Sequence, residues 1–306
     1  MSRELPEQLQ FLANRKAVQK TTTASLKGRL AVITGSTSGV GLAGARRLAQ
    51  AGCDLVLVAR SRDKAEALGS ELRSAYGVAV SVVLADLRSL DEVRRAAELL
   101  LRDCPRIDIL INSAGLHSTT LTRTPDGRET VFCVNHLAPF LLTSLLLDRM
   151  RESSPSRIIQ VNSEGHRFGG LDPSDLDWKR RHYTGLRGYG ASKIAQLLTT
   201  WEFADLLEGS GVTINAMHPG DLRTNIGSNN GPLYRWFLHT VTWRFLKDPA
   251  IAGEALYYLA AAPELAGTSG RYFHVTLEER PTAQALDRAM GRVIWEKSQA
   301  LTGLAH

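Results

Sequence analysis

The sequence is poor in cysteine and in long apolar runs. Cys53, Cys104 and Cys133 are the only cysteines among 306 residues, and no two of them form a C-x-x-C pair. Their odd number and wide spacing exclude a disulfide-stapled scaffold and favour a reducing compartment. The longest apolar run, residues 137–147, contains a proline and falls short of the roughly 18 residues that span a bilayer. We therefore predict a soluble, cytoplasmic protein, with peripheral membrane contact left open.

The first 20 residues also lack the uninterrupted apolar core of a secretion signal. Charged side chains are spread through them, at Arg3, Glu4, Glu7, Arg15 and Lys16. We predict that residues 1–27 form a helical arm at the surface.

Neither sign of charge dominates the composition. The chain has 37 Lys and Arg against 31 Asp and Glu, a formal net charge of +6, and 43% of its residues are hydrophobic. This apolar content excludes a disordered chain. So small a positive excess does not require nucleic acid as a partner, and we expect none. His136, His166, His182 and His218 show no metal-ligand spacing, so we also predict that the protein has no metal site.

Short β-branched runs alternate with longer amphipathic stretches, a pattern typical of a parallel sheet with helices on both faces. The predicted strands cover residues 29–34, 54–59, 79–84, 107–112, 157–161, 212–217 and 271–274. The predicted helices cover residues 40–51, 63–76, 90–102, 129–151, 188–207, 251–261 and 282–301. We predict one α/β domain of the Rossmann type over residues 28–306, built on a doubly wound, seven-stranded parallel sheet.

A glycine-rich segment follows the first predicted strand. It reads TGSTSGVG from Thr34 to Gly41, and a predicted helix comes directly after it. Glycines let the backbone approach a pyrophosphate, and the amino end of the helix directs N–H groups at the phosphates. An ordinary glycine-rich turn is the alternative. The position of the segment favours a dinucleotide site.

Residues after the next two predicted strands bear on which dinucleotide binds. An acidic residue after the second strand accepts hydrogen bonds from the ribose of NAD, whereas arginine accommodates the 2′-phosphate of NADP. Arg60 stands at this position and predicts NADP, with a solvated surface arginine as the alternative. Asp86, after the third strand, could cap the next helix or contact the adenine.

Tyr189 and Lys193 lie four residues apart and so share one face of a predicted helix. A free tyrosine has a pKa of about 10, and a nearby cation lowers it towards values useful for proton transfer. Ser163 ends the fifth predicted strand, where its hydroxyl could donate to a substrate oxygen or merely end the strand. Asn135 lies inside a predicted helix, where asparagine is a poor helix former and its side chain needs a partner.

These segments together resemble the short-chain dehydrogenase/reductase family. The matching segments occur in the same order as in the family, from about Gly28 to the carboxyl terminus. The NSAG segment at 112–115 and the HPG segment at 218–220 belong to the same resemblance. The segments VNHL at 134–137 and IWEKS at 294–298 narrow it to the retinol-dehydrogenase-like branch.

The resemblance implies a role for each matched residue. Tyr189 would exchange a proton with the substrate oxygen, and Ser163 would hydrogen-bond that oxygen. Lys193 would bind the nicotinamide ribose and lower the pKa of Tyr189, while Asn135 would hold a water that links Lys193 to solvent. The pyrophosphate would be cradled by Gly35, Ser36, Ser38, Gly39, Val40 and Gly41. The rest of the cofactor would contact Arg60, Asp86, Leu87, Asn112, Gly115, Pro219, Gly220 and Thr224.

Two positions depart from the family pattern. Ser38 stands where many NADP-preferring members have a basic residue, so the preference for NADP depends almost wholly on Arg60. Asp221 places an unusual charge near the nicotinamide, and we assign it no role.

Residues 221–249 combine a polar hinge with an aromatic stretch, and we predict that they form a lid over a lipophilic substrate. Packing on the protein's own core, on a second subunit or on a membrane surface are alternatives. The resemblance also leaves open a homodimer through the helices that carry Asn135 and Tyr189.

We therefore expect an NADP(H)-dependent oxidoreductase that transfers a hydride between nicotinamide and a lipophilic carbonyl or alcohol, with tyrosine as general acid/base. Reduction of a carbon–carbon double bond and a non-catalytic NADP-binding scaffold are the alternatives. The set of Ser163, Tyr189, Lys193 and Asn135 favours an enzyme.

Overall fold

Eight strands form one sheet in the computed structural model, which describes residues 17–220 and 250–304. Their order across the sheet is β3-β2-β1-β4-β5-β6-β7-β8. The first seven strands pair in parallel and the eighth is antiparallel. The strands are β1 (Leu30–Thr34), β2 (Asp54–Ala59), β3 (Val80–Leu84), β4 (Ile109–Asn112), β5 (Ser156–Val161), β6 (Val212–His218), β7 (Tyr272–His274) and β8 (Leu277–Glu278).

The predicted seven-stranded parallel sheet is confirmed, with β8 as an addition at its edge. The chain turns back after β7 through Val275 and Thr276, so that His274 pairs with Leu277. Val275 has a φ of 59°, a left-handed conformation that turns of this length require. Sequence reasoning missed the hairpin because Val-Thr lacks the Gly, Asn or Asp that normally marks such a turn.

Helices cover both faces of the sheet, as predicted. They are α1 (Gly39–Gln50), α2 (Arg62–Tyr76), α3 (Leu90–Asp103), α4 (Thr130–Glu152), α5 (Gly185–Leu206), α6 (Ala250–Ala261) and α7 (Arg288–Thr302). Alternate side chains of each strand enter opposite cores: Val32 and Leu110 pack with α3, α4 and α5, whereas Ile33 and Ile111 pack with α1, α2 and α6. Burial on both faces explains why the strands are continuously apolar rather than alternating.

Helix α4 is interrupted by a π-helical turn at Cys133–Leu137, where the N–H of Ala138 donates to the carbonyl of Cys133. Short π-turns of this kind occur frequently at functional sites, and Asn135 lies in the middle of this one. The carboxylate of Glu129 caps the start of the helix by accepting from the N–H groups of Val131 and Phe132 at 2.8 and 2.6 Å.

Helix α4 also corrects one prediction, that no segment is long and apolar enough to span a bilayer. Among the described residues, the helix Thr130–Glu152 meets that criterion, with a mean hydropathy of 1.7. However, 89% of its most apolar window is buried inside the protein. The helix is apolar because it passes through the core between the sheet, α3 and α5.

Helix α7 packs on α4 and α5. The Trp295 ring contacts Phe140 of α4 and Phe203 of α5, with centroids 5.1 and 4.7 Å apart. A dimer through α4 and α5 would therefore have to use only the surface that α7 leaves uncovered.

The described part of the predicted arm, residues 17–27, is not helical. It is held in an irregular path by the rest of the protein. Gln19 Oε1 accepts from the Thr276 N–H and hydroxyl at 3.1 and 2.8 Å, and the Tyr257 hydroxyl donates to the carbonyl of Ala24 at 2.6 Å. These tertiary contacts override local helix propensity. Residues 1–16 and the predicted lid, 221–249, lie outside the described residues.

Candidate active site

The carboxyl ends of β1, β4, β5 and β6 meet at one edge of the sheet, where ligands bind in folds of this type. Most of the predicted site residues that the structure describes follow these strands or lie on α4 and α5. Thr224 lies outside the described residues.

The glycine-rich loop between β1 and α1 is tightly folded. Gly35 has a φ of 67°, and a side chain on Gly41 would come within 2.4 Å of the carbonyl oxygen of Gly35. Gly39 also has a positive φ, of 53°. Glycine is therefore required here by the backbone itself, as expected for a loop that lets a phosphate approach closely.

Two serine side chains of this loop keep hydrogen-bonding capacity that the described residues do not take up. The buried Ser36 Oγ has no hydrogen-bond partner among the described residues. Ser38 occupies the N-cap position of α1, but its side chain does not cap the helix. An unsatisfied buried hydroxyl and an uncapped helix end are donors aimed at an anion. The loop thus fits the pyrophosphate of a nicotinamide dinucleotide, with Val40 in the first turn of α1.

The loops after β1 and β4 are joined through Thr34. Its Oγ1 accepts from the N–H groups of Ser113 and Ala114, both at 3.1 Å. The backbone of Ala114 lies very close to Gly35: a side chain on Gly35 would come within 2.7 Å of the Ala114 Cα. Asn112, just before, donates from Nδ2 to Thr143 Oγ1 at 2.9 Å. Asn112 therefore ties β4 to α4 as well as bordering the cofactor path.

Charged side chains lie at the ends of β2 and β3. Arg60 is exposed, and Asp86 accepts from Arg88, with 2.9 Å between Arg88 Nε and Asp86 Oδ2. Burial alone would raise the pKa of Asp86, but the hydrogen bonds from Arg88 and the charge of Arg60 outweigh it and lower that pKa. Leu87 is buried in the core. Sequence reasoning missed Arg88, which adds a second cation beside Arg60.

Tyr189 lies near the start of α5 under a closely packed turn, Glu164–Arg167. A side chain on Gly165 would come within 2.7 Å of the Tyr189 ring. Gly169 and Gly190 approach so closely that a side chain on either would lie about 2.5 Å from the backbone of the other. These glycines let the segment after Ser163 lie flat on α5, which brings Ser163 beside Tyr189.

The ionisable groups of the site are buried. Burial raises the pKa of Tyr189, and a hydrogen bond with the Ser163 side chain opposes this rise. Burial lowers the pKa of Lys193 to about 7. The Lys193 Nζ lies 5.9 Å from the centre of the Tyr189 ring. The predicted pair therefore meets on one face of α5, in a site that by itself favours the neutral form of both groups.

Lys193 is fixed to β5 by a reciprocal pair of hydrogen bonds. Its Nζ donates to the carbonyl of Val161 at 2.8 Å, and Asn162 Nδ2 donates to the carbonyl of Lys193 at 3.0 Å. Asn162 Nδ2 also donates to Gln196 Oε1 at 2.9 Å, while its Oδ1 accepts from the Ser163 N–H at 2.8 Å. Asn162 thus joins the strand that carries Ser163 to the helix that carries Tyr189.

Asn162 and Gln196 were not assigned roles from the sequence, although two signals point to them. Asn162 is a polar residue at the buried end of a strand, where an amide needs partners. Gln196 lies three residues after Lys193 and seven after Tyr189, on the same helical face.

Asn135 is enclosed by its own protein contacts. Its Oδ1 accepts from the Leu116 N–H at 2.9 Å, and its Nδ2 donates to the Leu116 carbonyl and to Ser192 Oγ, both at 3.0 Å. Both amide protons are therefore engaged. A side chain on the nearby Gly115 would come within 3.4 Å of Asn135 Oδ1. The water relay predicted at Asn135 would need an acceptor oxygen of this residue rather than its amide protons.

The HPG segment ends β6 beside the β7–β8 hairpin. Gly220 has a φ of 85°, and a side chain on it would lie 3.4 Å from Val275. Pro219 is buried next to it. Both residues therefore border the sheet edge at the position expected for the nicotinamide.

The fold brings His218 together with His274, a histidine that the sequence analysis did not consider, and their ring centres lie 5.2 Å apart. With Glu164 they place three ligand-type atoms within 4.8 Å of one another. The two Glu164 oxygens are already engaged, by the Arg167 guanidinium and by the Tyr272 hydroxyl at 2.8 Å. Because a fixed cation of the chain balances this carboxylate, the group forms a buried polar network, and the absence of a metal site stays a prediction.

Comparison with known proteins gives the following similarities. The family model described as short chain dehydrogenase matches residues 29–233. Human Retinol dehydrogenase 13 is 39% identical, over 92% of this chain and 86% of its own. Dehydrogenase/reductase SDR family member 13 of Bos taurus is 41% identical, over 92% and 75%.

Two solved structures are similar in fold. A protein from Mycobacterium paratuberculosis superimposes with a TM-score of 0.75 and 29% identity, covering 94% of this chain and 98% of its own. A blue fluorescent protein from a metagenomic library, solved in complex with NADPH, has a TM-score of 0.65 and 27% identity, covering 82% and 96%.

Proposed function

Because the chain belongs to the short-chain dehydrogenase family and to its retinol-dehydrogenase-like branch, we propose that it is an NADP(H)-dependent oxidoreductase of lipophilic carbonyls and alcohols. The observation that carries this proposal is the meeting of Ser163 with the buried Tyr189 and Lys193 at the sheet edge that also holds the glycine-rich loop. Two hydroxyls positioned together beside an amine are suited to proton transfer at a substrate oxygen.

The nicotinamide, when bound, supplies or accepts the hydride. Ser163 holds the substrate oxygen by a hydrogen bond from its hydroxyl, and Tyr189 donates its phenolic proton to that oxygen as a carbonyl is reduced. Burial raises the pKa of Tyr189 and so keeps this proton in place at neutral pH. Reduction uses this protonated form of Tyr189. Lys193, held by Val161, is placed to bind the ribose hydroxyls.

The preference for NADP rests on charge at the ends of β2 and β3. Arg60 is exposed at the position where a 2′-phosphate would lie, and the Arg88 guanidinium is nearby. Neither position offers a free carboxylate, since Arg88 engages Asp86. An exposed Arg60, beside an Asp86 whose charge Arg88 already balances, favours the phosphorylated ribose.

A lipophilic substrate is supported by the relatives and by the loops at the sheet edge. The printed names of the relatives include retinol dehydrogenases. Phe168 and Leu186, which flank the Tyr189 region on either side of the loop before α5, are 48% and 51% exposed. Exposed apolar side chains in the segments next to the site suit an apolar ligand. The predicted lid, 221–249, and any peripheral membrane contact remain part of this proposal.

Turnover by the purified protein tests this function. Loss of NADPH absorbance would be followed with retinal, long-chain aldehydes and quinones, with NADH in parallel. We expect carbonyl reduction that is faster with NADPH. The Tyr189→Phe variant should lose turnover by about 10²–10⁴-fold while still binding NADPH, because the hydroxyl acts only on the substrate oxygen. Unchanged turnover in that variant would sink the mechanism, and binding without turnover of any carbonyl in the wild type would favour a scaffold.

A further inference from the structure

His166 makes a bridge between the turn that carries Ser163 and a distant segment of the chain. Its Nδ1 lies 2.8 Å from the carbonyl oxygen of Ser163. The N–H of Thr282, 116 residues away in the sequence, donates to His166 Nε2 at 3.3 Å. A carbonyl only accepts and an N–H only donates, so the partners fix the tautomer: Nδ1 carries the proton and Nε2 is bare.

The surroundings of His166 keep it neutral. It is 1% exposed, and burial lowers its pKa to about 4. Its ring packs edge-on against Tyr272, with centres 5.3 Å apart. Both ring nitrogens therefore serve as fixed hydrogen-bonding groups at neutral pH, one towards Ser163 and one towards Thr282.

Arg167 strengthens the same connection. Its side chain is fully buried between Glu164, on the Ser163 turn, and Glu279, on the distant segment. Its Nη2 donates to Glu279 Oε1 at 2.7 Å and to the carbonyl of Arg280 at 3.1 Å. Two neighbouring side chains of the turn thus bind the backbone or carboxylate of residues 279–282, a segment that follows the two-residue strand β8.

The carbonyl group of Ser163 makes few other hydrogen bonds. Among the described residues, the Ser163 carbonyl accepts two hydrogen bonds, both from His166. One comes from the backbone N–H at 3.2 Å and the other from the imidazole ring. Its hydroxyl accepts from the N–H of Gly165 at 3.0 Å. The imidazole is therefore the group that anchors the Ser163 carbonyl to structure outside its own turn.

We propose that His166 is a positioning residue, whose Nδ1–H holds the Ser163 carbonyl and thereby sets the direction of the Ser163 hydroxyl towards the substrate oxygen. The catalytic consequence of this assignment rests on the proposed function, whereas the hydrogen bonds of His166 are independent of it. The segment 279–282, far from Ser163 in the sequence, is the fixed support against which His166 acts.

Two substitutions test the roles of the two ring nitrogens of His166 separately. His166→Asn places an amide donor near the position of Nδ1 and loses the acceptor for Thr282. His166→Gln places an amide oxygen near Nε2 and loses the donor to Ser163. We expect His166→Gln to lower kcat for the aldehyde by about tenfold, with the KM for NADPH unchanged, and His166→Asn to restore most of that loss. His182→Gln, in the exposed loop before α5, is the matched control and should leave kcat unchanged.

Amide hydrogen exchange of the 163–168 turn, measured on the same proteins without substrate, is the second readout. Faster exchange in His166→Gln than in His166→Asn supports the proposal. Equal exchange and equal kcat in the two variants would show that His166 only fills space and would overturn it. If the wild type turns over no carbonyl, the proposed function fails, and the exchange comparison still decides whether His166 holds the turn.

Discussion

The two halves of the sheet edge are built in opposite ways. Around the loops after β1 and β2, the Ser36 hydroxyl has no partner among the described residues, the Ser38 side chain leaves its helix uncapped, and Arg60 is exposed. Around β5 and α5, the polar side chains bond to one another, as Asn162 and Lys193 do. The first half is prepared for a ligand by donors kept free. The second half is prepared by side chains fixed in advance.

This difference follows from what each half has to do. A dinucleotide brings its own charged oxygens, so a buried donor left unsatisfied, at about 1–3 kcal/mol, is compensated when the phosphate arrives. Proton transfer instead depends on the placement of a few atoms, and misplacement by an ångström is expensive. Fixing Lys193 and Ser163 through Asn162 restricts their motion before any ligand binds.

The largest expected effect in the first half comes from filling the glycine-rich loop. Gly41→Ala would place a methyl group 2.4 Å from the carbonyl oxygen of Gly35, a backbone atom that cannot move aside easily. We expect NADPH binding to weaken by about one to two orders of magnitude, measured by calorimetric titration. Gly170→Ala is the control, because a side chain there meets open space. Equal affinity in the two variants would contradict a preformed phosphate cradle.

A smaller effect should come from the charge at the end of β2. Arg60→Ala removes a cation that reaches solvent freely, and we expect NADPH affinity to fall by about tenfold while NADH affinity stays the same. Arg62→Ala, two residues on and also exposed, controls for a general change in surface charge. An equal loss for both cofactors would argue that Arg60 does not recognise the 2′-phosphate.

The last effect concerns the second half and needs no ligand. Burial lowers the pKa of Lys193 to about 7, against 10.4 for a free lysine. Between these values the unfolded chain holds more protons than the folded one, so the Lys193 contribution to stability rises with pH. The wild type should therefore gain stability relative to Lys193→Met from pH 7 upwards, by at most about 1.4 kcal/mol per pH unit. Urea unfolding of both proteins measures the difference, and parallel pH profiles would contradict it.

The same contrast governs how much the sequence predicts. The glycine-rich loop was predictable because a local motif between a strand and a helix encodes its backbone. Ser163, Tyr189 and Lys193 were found by their spacing and family resemblance, and the structure brings them together. Asn162 and Gln196 carry only weak local signals, and the partners that fix them, like the Thr282 partner of His166, lie far along the chain.

The π-turn in α4 shows a further limit. From the sequence, Cys133–Leu137 is predicted as ordinary α-helix. A single wider turn changes the backbone hydrogen bonds, but it hardly alters the spacing of apolar side chains on which the prediction depends. Asn135 was marked as a poor helix former, which was correct as a local signal. Its partners, Leu116 and Ser192, became visible only when three segments were folded together.

The irregular segment before β1 bears on where the working unit of this protein begins. The family match starts at residue 29, yet Gln19 and Lys20 both bond to Thr276 in the β7–β8 turn, whose neighbour Val275 lies against Gly220. A chain trimmed to the limits of the family match would lose these hydrogen bonds to the β7–β8 turn, which lies beside Gly220. A shortened form made for expression, tagging or fusion should therefore keep Gln19 and Lys20, which lie ahead of the first residue of the family match.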